Sequence, residues 1–256
     1  MLSIAERHKF ILDALQQQGY IRIGDIAAQL GVTVVTIRKD FKELEKRGLL
    51  YRTHGSASPV NPLVPDRSVF AKEQINREKK EKIGQAAAQL IEPDDSIIIA
   101  SGSTICAFAQ YIQPNGHQNV VTPSLSVATQ LSRLDDVNVI QLGGTVDPKS
   151  LSVRGAYTAL EVFDFFSSSK LFFGADGIDE EHGITTSNLE EVLLTRRMMS
   201  AATKTILLAD SSKFSKQGFG KICTLDQIDT LVTDEDIPET TLHQLEEQGV
   251  EVIIAR

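Results

Sequence analysis

From residue 78 onward the sequence alternates short apolar segments with longer segments of helical period, and this alternation limits the folds available to the chain. The apolar segments are strand-length and apolar on both faces, as in SIIIA, KLFFGA and TILLA. Between them lie amphipathic segments such as NLEEVLLTRRMMSAAT. Strands of this kind are typical of parallel sheets covered by helices. We therefore predict an α/β domain over residues 78–256, with a mainly parallel sheet covered by helices.

The first 58 residues have a different pattern, of three short helices and a hairpin. Apolar residues at helical spacing precede Gly31 and Gly48, and Thr33 stands where it can cap the third helix. A hairpin is indicated by GLLYRTHGS, which alternates around a turn at Gly55. Three helices and a hairpin form a winged helix-turn-helix. We therefore predict a small α+β winged helix-turn-helix domain over residues 1–58, which binds DNA.

The charge distribution agrees with this division. The whole chain of 256 residues has a formal net charge of −8, which by itself argues against a nucleic-acid partner. Residues 1–58, however, hold nine Lys or Arg against six Asp or Glu, and the rest of the chain holds 17 against 28. A basic head on an acidic body is typical of a tethered DNA-reading module. The segment SASPVNPLVPDRS has three prolines and no helical period, so we assign residues 59–77 to a linker.

The third helix carries most of the residues that we predict to contact DNA. Its apolar residues Ile37, Phe41 and Leu44 share one face, which leaves a basic face for solvent. In a winged helix-turn-helix the N-terminal residues of this helix reach base edges in the major groove, and the hairpin contacts the backbone or the minor groove. An ordinary solvated helix face is the alternative interpretation. The predicted DNA-binding residues are Thr33, Val34, Val35, Thr36, Arg38, Lys39, Lys42, Arg52 and His54.

Polar loops follow several of the predicted strands. One loop, residues 101–104, opens a helix after SIIIA, and another, residues 210–213, follows TILLA. Ligands of such sheets bind at the carboxyl ends of the strands, where free N–H groups, hydroxyls and a lysine suit an anion. We therefore predict a phosphorylated small molecule as ligand, with simple helix caps and turns as the alternative. The loops supply Ser101, Gly102, Ser103, Thr104, Ser124, Gly143, Gly144 and Lys213.

Motifs in both parts resemble those of one protein family. The first part contains VTVVTIRKDFKELEKRGLLYRTHGS, which is similar to the signature of the DeoR family of bacterial sugar-metabolism repressors. The second part contains SGST, LGGT, FFGADGID, HGIT, NLEEVLLTRRM and ADSSKF, which resemble in order the motifs of the effector domain of that family, a relative of ribose-5-phosphate isomerase. The resemblance implies a repressor of a carbohydrate-utilisation operon that a phosphorylated sugar releases from its operator. The predicted effector site is completed by Arg154, Asp176, Gly177, Asp179 and Glu191.

A sugar-phosphate isomerase with a DNA-binding tail is the alternative to a regulator. Isomerisation needs a general base, and the isomerase motif that resembles FFGADGID has an acidic residue where this chain has Gly177. Asp176 and Asp179 can still accept sugar hydroxyls, and Glu190 or Glu191 could serve as the base. We predict no catalytic residues and no enzymatic activity. A sheet that only dimerises, without a ligand, is a third interpretation, which the clustered polar loops disfavour.

The predicted partners are double-stranded operator DNA, a phosphorylated sugar and further copies of the chain, as a dimer or tetramer, because helix-turn-helix proteins bind repeated half-sites. We expect no cofactor and no metal site, since Cys106 and Cys223 have no zinc-ligand spacing. No apolar run is long enough to cross a bilayer, and charged residues stand where a secretory signal would be apolar. We therefore predict a cytoplasmic protein with no membrane partner.

Overall fold

The computed structural model describes residues 3–18, 20–47, 49–53, 55–58, 67–154 and 161–256. The chain divides into two compact units, unit 1 (Met1–Leu63) and unit 2 (Val64–Arg256). Unit 1 is a small helical unit with a short sheet, and unit 2 is an α/β unit built on a seven-stranded sheet. The predicted fold class is therefore confirmed. Among the described residues, no helix combines the length and the apolar character needed to cross a membrane.

Unit 1 contains three helices and a three-stranded sheet. In chain order its elements are α1 (Ile4–Gln18), β1 (Ile21–Arg22), α2 (Ile23–Leu30), α3 (Val34–Lys46), β2 (Tyr51–Thr53) and β3 (Ser56–Ser58). Strand β3 lies between β1 and β2 and is antiparallel to both. The hairpin β2–β3 forms where the sequence predicts the wing. Strand β1 was not predicted, because two residues are too short to show a periodic pattern.

Helix α3 forms and packs as its sequence predicts. The Thr33 Oγ1 accepts a hydrogen bond from the Thr36 N–H at 3.2 Å, which caps the first turn. Ile37, Phe41 and Leu44 are each at most 1% exposed, so this face belongs to the core of unit 1.

A buried ion pair also fixes α3 against α1. The Asp40 carboxylate is 5% exposed and accepts hydrogen bonds from Arg7 on α1, with Nε–Oδ2 at 2.8 Å and the second contact at 2.9 Å. His8 Nε2 lies 3.3 Å from Asp40 Oδ1. Removing one partner of a buried ion pair leaves an uncompensated charge, so this contact holds α3 at a defined angle to α1.

Unit 2 places helices on both faces of its main sheet. Its helices are α4 (Val69–Glu73), α5 (Arg77–Ala88), α6 (Ser103–Ala109), α7 (Leu125–Leu131), α8 (Leu189–Ser200) and α9 (Glu239–Glu247). Its strands are β4 (Ser96–Ile99), β5 (Gln118–Thr122), β6 (Val137–Gln141), β7 (Thr145–Asp147), β8 (Ser152–Arg154), β9 (Ser168–Gly174), β10 (Gly177–Asp179), β11 (Gly183–Thr186), β12 (Ala202–Leu208), β13 (Gly220–Cys223), β14 (Thr230–Asp234) and β15 (Glu251–Ala255).

The main sheet has the strand order β15-β14-β12-β9-β4-β5-β6, and every neighbouring pair is parallel. Leu171 and Phe173 of β9 point to one core cluster and Phe172 to the other, as expected for a strand buried on both faces. The chain runs from β4 outward to β6 and then returns to β9 on the other side of β4. The strand order therefore reverses between β4 and β9, and a crevice forms beyond the carboxyl ends of the strands at such a point.

Two small antiparallel sheets accompany the main sheet. Strands β7 and β8 form a hairpin, and β11 lies between β10 and β13. The sequence indicated a loop after KLFFGA, where the structure has the β10–β11 hairpin. It also indicated a helix over AYTALEVFDFF, of which residues 156–160 lie outside the described residues and 161–162 are helical.

Residues that the sequence assigned to the linker belong partly to unit 2. Ser68 Oγ accepts from the Ala71 N–H at 3.3 Å and so caps α4. Val69 is 4% exposed, and its N–H donates to the Lys149 carbonyl at 2.7 Å. Residues 67–77 are therefore packed on the α/β unit rather than extended between the units. A helix of one turn gives no readable period in the sequence, and residues 59–66 lie outside the described residues.

Candidate functional site

Unit 1 presents a basic face on α3. Val34 and Val35 at its start are 40% and 58% exposed. Arg38, Lys39 and Lys42 are exposed as well, and none of the three makes a hydrogen bond or ion pair with another described residue. Three unpaired cations on one exposed helix face can reach the phosphates and base edges of DNA.

The remaining predicted DNA-binding residues are placed differently. Thr33 and Thr36 are joined by a hydroxyl contact of 3.0 Å at the start of α3, so both contribute to the cap. Arg52 on β2 is exposed but already paired, with Nε 2.6 Å from Glu45 Oε2. The sequence predicts a DNA contact for Arg52, and in the structure its Nε is already held by Glu45. His54 lies outside the described residues.

Unit 2 contains a cleft at the reversal point of its strand order. The cleft holds about 390 Å³ of space, part of which is open to solvent. Seven of the predicted effector-binding residues line it, and they come from the ends of three neighbouring strands and from α8. They are Ser101, Gly102, Ser103, Thr104, Asp176, Glu191 and Lys213.

The loop after β4 turns sharply into α6. Gly102 has φ 125° and ψ 161°, a conformation that is nearly restricted to glycine. This conformation lets α6 begin at Ser103, directly beyond the strand end. The first N–H groups of a helix have no partner within it, so they are available to a ligand oxygen in the cleft.

Asp176 is the buried acid of the cleft. It is 6% exposed, and Lys72 Nζ lies 2.7 Å from its Oδ1. Its Oδ2 accepts from the Ser187 N–H at 3.0 Å, the Ser187 hydroxyl at 2.7 Å and the Thr186 hydroxyl at 3.3 Å. Burial alone would raise the pKa of this carboxyl, but the Lys72 charge and these hydrogen bonds outweigh burial and lower the pKa to about 2. Asp176 is therefore ionised and acts as an acceptor.

Glu191 lies beside Asp176, and its pKa is shifted in the opposite direction. Burial, and then the negative charge of Asp176, raise the pKa of the Glu191 carboxyl. The Thr186 hydroxyl lies between the two acids and is 2.5 Å from Glu191 Oε2. The raised pKa favours the protonated form of Glu191, which can donate a hydrogen bond, whereas the ionised Asp176 can only accept one. Opposed pKa shifts also occur in acid–base catalysis, so measuring turnover separates a regulator from an isomerase.

Lys213 brings positive charge to the cleft. It ends a short 3₁₀ turn, Ser211–Lys213, after β12, and no described residue pairs with its ammonium. Lys216 lies near enough that burial, and then the Lys213 charge, lower the pKa of the Lys216 ammonium. An unpaired lysine in a positive environment is suited to hold a phosphate as a point charge.

Four predicted residues lie at strand ends outside the cleft. Ser124 is 1% exposed, and its Oγ accepts from the Val127 N–H at 3.3 Å, so it serves as the cap of α7. Gly143 and Gly144 are exposed between β6 and β7. Arg154 on β8 pairs with Asp147 at 2.7 Å. The sequence predicts polar loops along the whole rim, and among the described residues the loops beside the reversal point line the cleft.

Gly177 and Asp179, which the sequence predicts as ligands, are not among the residues that line the cleft, and both have structural roles in the β10–β11 hairpin. A Cβ on Gly177 would stand 2.3 Å from the Lys216 carbonyl oxygen, so the position has no room for a side chain. The Asp179 Oδ1 accepts from the N–H groups of Glu181 and His182, both at 3.0 Å, and lies 2.8 Å from His182 Nδ1. Its carboxylate closes the turn instead of facing the cleft.

Two polar residues of the cleft, Thr186 and Lys72, are not among the predicted ligands. Thr186 directly follows the motif HGIT, but hydroxyls at strand ends are too common to single it out. Lys72 lies in the segment assigned to the linker, where nothing in the sequence indicates a contact with Asp176. In the part of the chain that the structure describes, no group of three or more His, Cys, Asp or Glu side chains is placed to hold a metal ion.

Comparison with known proteins gives the family of both units. The family model of the DeoR-like helix-turn-helix domain matches residues 7–62, and that of the DeoR C terminal sensor domain matches residues 75–235. A provisionally named aga operon transcriptional repressor of Escherichia coli O157:H7 is 35% identical over 254 residues, which cover 98% of this chain and 93% of the relative. The HTH-type transcriptional repressor GlcR of Bacillus subtilis is 31% identical, with 97% and 95% covered.

Solved structures show weaker likeness. The full-length sorbitol operon regulator SorC of Klebsiella pneumoniae is 14% identical with a TM-score of 0.44, covering 94% of this chain and 99% of that one. A ribose 5-phosphate isomerase from Methanocaldococcus jannaschii is 16% identical with a TM-score of 0.40, covering 54% and 55%. Neither likeness bears on function. The two family models and the long curated matches confirm the resemblance seen in the motifs, and the chain belongs to the DeoR family of transcriptional regulators.

Proposed function

We propose that the protein represses a carbohydrate-utilisation operon and that a phosphorylated sugar, bound in the cleft of unit 2, releases it from its operator. The observation that carries the proposal is the composition of the cleft. It combines an unpaired lysine, Lys213, and the free N–H groups of α6 with the ionised acceptor Asp176. A phosphate is recognised by the first two and sugar hydroxyls by the third.

The operator is contacted through α3. Arg38 and Lys39 are exposed and unpaired near its N-terminal end, which is the end that enters the major groove in helix-turn-helix proteins. The methyl groups of Val34 and Val35 are exposed there as well and can contact thymine. Two of the long matches are named as transcriptional repressors, which supports repression as the direction of control.

The effector is held without being transformed. An isomerase needs a general base beside the reacting carbons, and the motif position that is acidic in the isomerase is Gly177 here. The structure gives a reason for this glycine, because the Lys216 carbonyl oxygen occupies the space that a side chain would need. We therefore propose that the cleft binds a sugar phosphate and does not catalyse its isomerisation.

The protein acts as a homo-oligomer in the cytoplasm, where operator DNA is found. Two or more DNA-reading units are needed for repeated half-sites. Unit 2 offers an apolar surface for self-association at the start of α8, where Leu189, Leu193 and Phe219 are 55%, 60% and 73% exposed. Sedimentation of the purified protein gives the number of copies, and a monomer at micromolar concentration would contradict this part of the proposal.

The proposal is tested with a panel of glucose 6-phosphate, fructose 6-phosphate, fructose 1-phosphate and ribose 5-phosphate, with the unphosphorylated sugars as controls. We expect at least one phosphorylated member to raise the melting temperature and to weaken binding to a promoter fragment taken from beside the gene. NMR of the binder after incubation reports turnover. Release of DNA with an unchanged sugar spectrum supports a regulator, an isomerised sugar supports the enzyme, and the absence of any shift contradicts a sugar-phosphate effector.

A further inference from the structure

One segment of unit 2 is fastened across the carboxyl ends of three adjacent strands. This segment, residues 68–80, comprises α4 and the first turn of α5, and we name it the strap. Three of its side chains, spaced four and three residues apart, each bind an aspartate at the end of a different strand. Lys72 Nζ lies 2.7 Å from Oδ1 of Asp176, which follows β9. Asn76 Nδ2 lies 2.8 Å from Oδ1 of Asp210, which follows β12. Lys79 Nζ lies 2.7 Å from Oδ1 of Asp234, the last residue of β14.

The three aspartates are buried, which makes the strap contacts strong in the absence of ligand. Asp176, Asp210 and Asp234 are 6%, 1% and 2% exposed. A buried carboxyl group needs a positive or hydrogen-bonding partner, and the strap supplies one to each. Lys80 also holds the strap in shape, because its Nζ donates to the Lys72 carbonyl at 2.5 Å and to the Ile75 carbonyl at 2.6 Å.

Only the first of these contacts lies in the cleft. Of the three strap side chains, Lys72 lines the cleft together with its partner Asp176. Asp176 Oδ2 accepts from the N–H and the hydroxyl of Ser187 and lies 3.3 Å from the Thr186 hydroxyl, which is closer to Glu191, whereas Oδ1 accepts from Lys72. A sugar hydroxyl that binds Asp176 therefore has more room at Oδ1, where it competes with the Lys72 ammonium. A phosphate near Lys213 attracts the Lys72 ammonium away from Asp176 at the same time.

The strap is also the part of unit 2 that follows the DNA-reading unit in the chain. Unit 1 ends at Leu63 and α4 begins at Val69, so the two are close in the sequence. The first residue of α4 is held by one backbone hydrogen bond, from the Val69 N–H to the Lys149 carbonyl. A helix of one turn has little stability of its own and depends on such contacts.

We propose that Lys72 couples the cleft to the DNA-binding unit. The effector takes Lys72 from Asp176, α4 loosens from the end of β9, and the altered strap lowers the affinity of unit 1 for the operator. The proposal rests on the proposed function, since it assumes a sugar-phosphate effector. It adds that effector binding and operator release are separable, because operator release depends on Lys72 more strongly than effector binding does.

The test compares full-length wild type with Lys72→Met, Lys72→Arg and Lys82→Met. The probe is the member of the sugar-phosphate panel that gives the wild type its largest melting shift. Operator affinity is measured by anisotropy with and without the probe, at a probe concentration that saturates each variant in its own melting titration. We expect the probe to weaken wild-type operator binding by at least about tenfold and that of Lys72→Met by less than about threefold. Lys72→Arg keeps the positive charge and should respond like the wild type.

The control Lys82→Met removes an exposed lysine of α5 that has no partner among the described residues. The probe should weaken its operator binding as much as that of the wild type. A Lys72→Met protein that binds the probe and releases the operator like the wild type overturns the proposal. So does a Lys72→Met protein that no longer binds the probe at all, because Lys72 would then only hold the ligand. If no panel member shifts the wild type, the proposed effector is wrong, and that failure is seen before any variant is made.

A second measurement needs no variant. Amide hydrogen exchange of the wild type is followed over Val69–Glu73 with and without the probe. Loosening of α4 predicts that these amides, including the Val69 N–H that donates to Lys149, exchange faster when the probe is bound. Unchanged or slower exchange in this segment refutes the release of the strap, even if the Lys72→Met protein fails to fold.

Discussion

Replacing Lys213 by alanine isolates the phosphate contact from the fold. Lys213 pairs with no described residue, so its loss removes no hydrogen bond or ion pair to that part of the chain, and it relieves repulsion from Lys216. We therefore expect the melting temperature of the ligand-free protein to stay within about 1 °C of the wild type, since surface substitutions of this kind change stability by about 0.5 kcal/mol or less. Any effect of the substitution must then appear only when ligand is present.

The size of that effect follows from linkage. A ligand at about 100 times its Kd stabilises the folded state by about 2.7 kcal/mol, and a unit of this size gains about 2–4 °C for each kcal/mol. The wild type should therefore gain about 5–11 °C. A hydrogen bond to a charged group is worth about 1.5–3 kcal/mol, so Lys213→Ala should weaken binding by about 10- to 150-fold. At the same ligand concentration the stabilisation falls to about 0.3–1.3 kcal/mol, which is about a tenth to a half of the wild-type shift.

The assay is a melting titration of both proteins with the panel member that stabilises the wild type most. Lys204→Ala is the matched control, because Lys204 is an exposed lysine of the same strand β12, whose carboxyl end leads to Lys213. The control should keep the full shift. A Lys213→Ala protein that gains as many degrees as the wild type would show that Lys213 does not contact the phosphate.

Three further predictions concern other parts of the molecule. Arg38→Ala should weaken specific operator binding by about 1–3 kcal/mol in a salt-matched anisotropy titration, if Arg38 contacts a base. Arg47→Ala, which removes an arginine paired with a neighbouring glutamate, should have a much smaller effect, and equal losses would assign Arg38 to non-specific attraction. The pKa of Asp176, lowered from 3.8 to about 2, contributes about 2 kcal/mol of stability that is fully present above about pH 4 and is lost as the pH falls towards 2. The unfolding free energies of wild type and Asp176→Asn in urea should therefore converge over this range, and a gap independent of pH would contradict the ion pair. Gly177→Ala should destabilise unit 2 by about 1–3 kcal/mol, because the new Cβ would meet the Lys216 carbonyl oxygen at 2.3 Å, and full stability would mean that the hairpin can move aside.

Patterns that extend over many residues were readable from the sequence. The apolar faces of β9 and β12 and the helical period of α3 each repeat several times, so the parallel sheet and the DNA-reading helix were predicted. The loop at residues 101–104 was identified because it follows an apolar strand and opens a helix. In each case the local sequence and the final environment agree.

Features made by a single distant contact were not readable. Lys72 looks like a linker residue until the fold brings it within 2.7 Å of Asp176, which is far away in the sequence. Asp179 looks like a ligand, because nothing in its motif shows that its carboxylate closes a turn with His182. Gly177 was read as a missing catalytic group, whereas the backbone of Lys216 leaves no room for any side chain there.

The central strand pair of the sheet sets the order in which the protein can be completed during synthesis. The pairing of β4 with β9, in which Ile97 lies opposite Lys170, cannot form until β9 has been synthesised. Asp234, at the end of β14, is synthesised later still. Unit 1 needs no residue beyond Leu63 for its own core. Domains fold as units from the N-terminus, and distant parallel pairing is slow. We therefore expect the nascent chain to acquire its operator-reading surface before its sensor and its surface for self-association exist, so that a newly made molecule can contact DNA before it can assemble or respond to sugar.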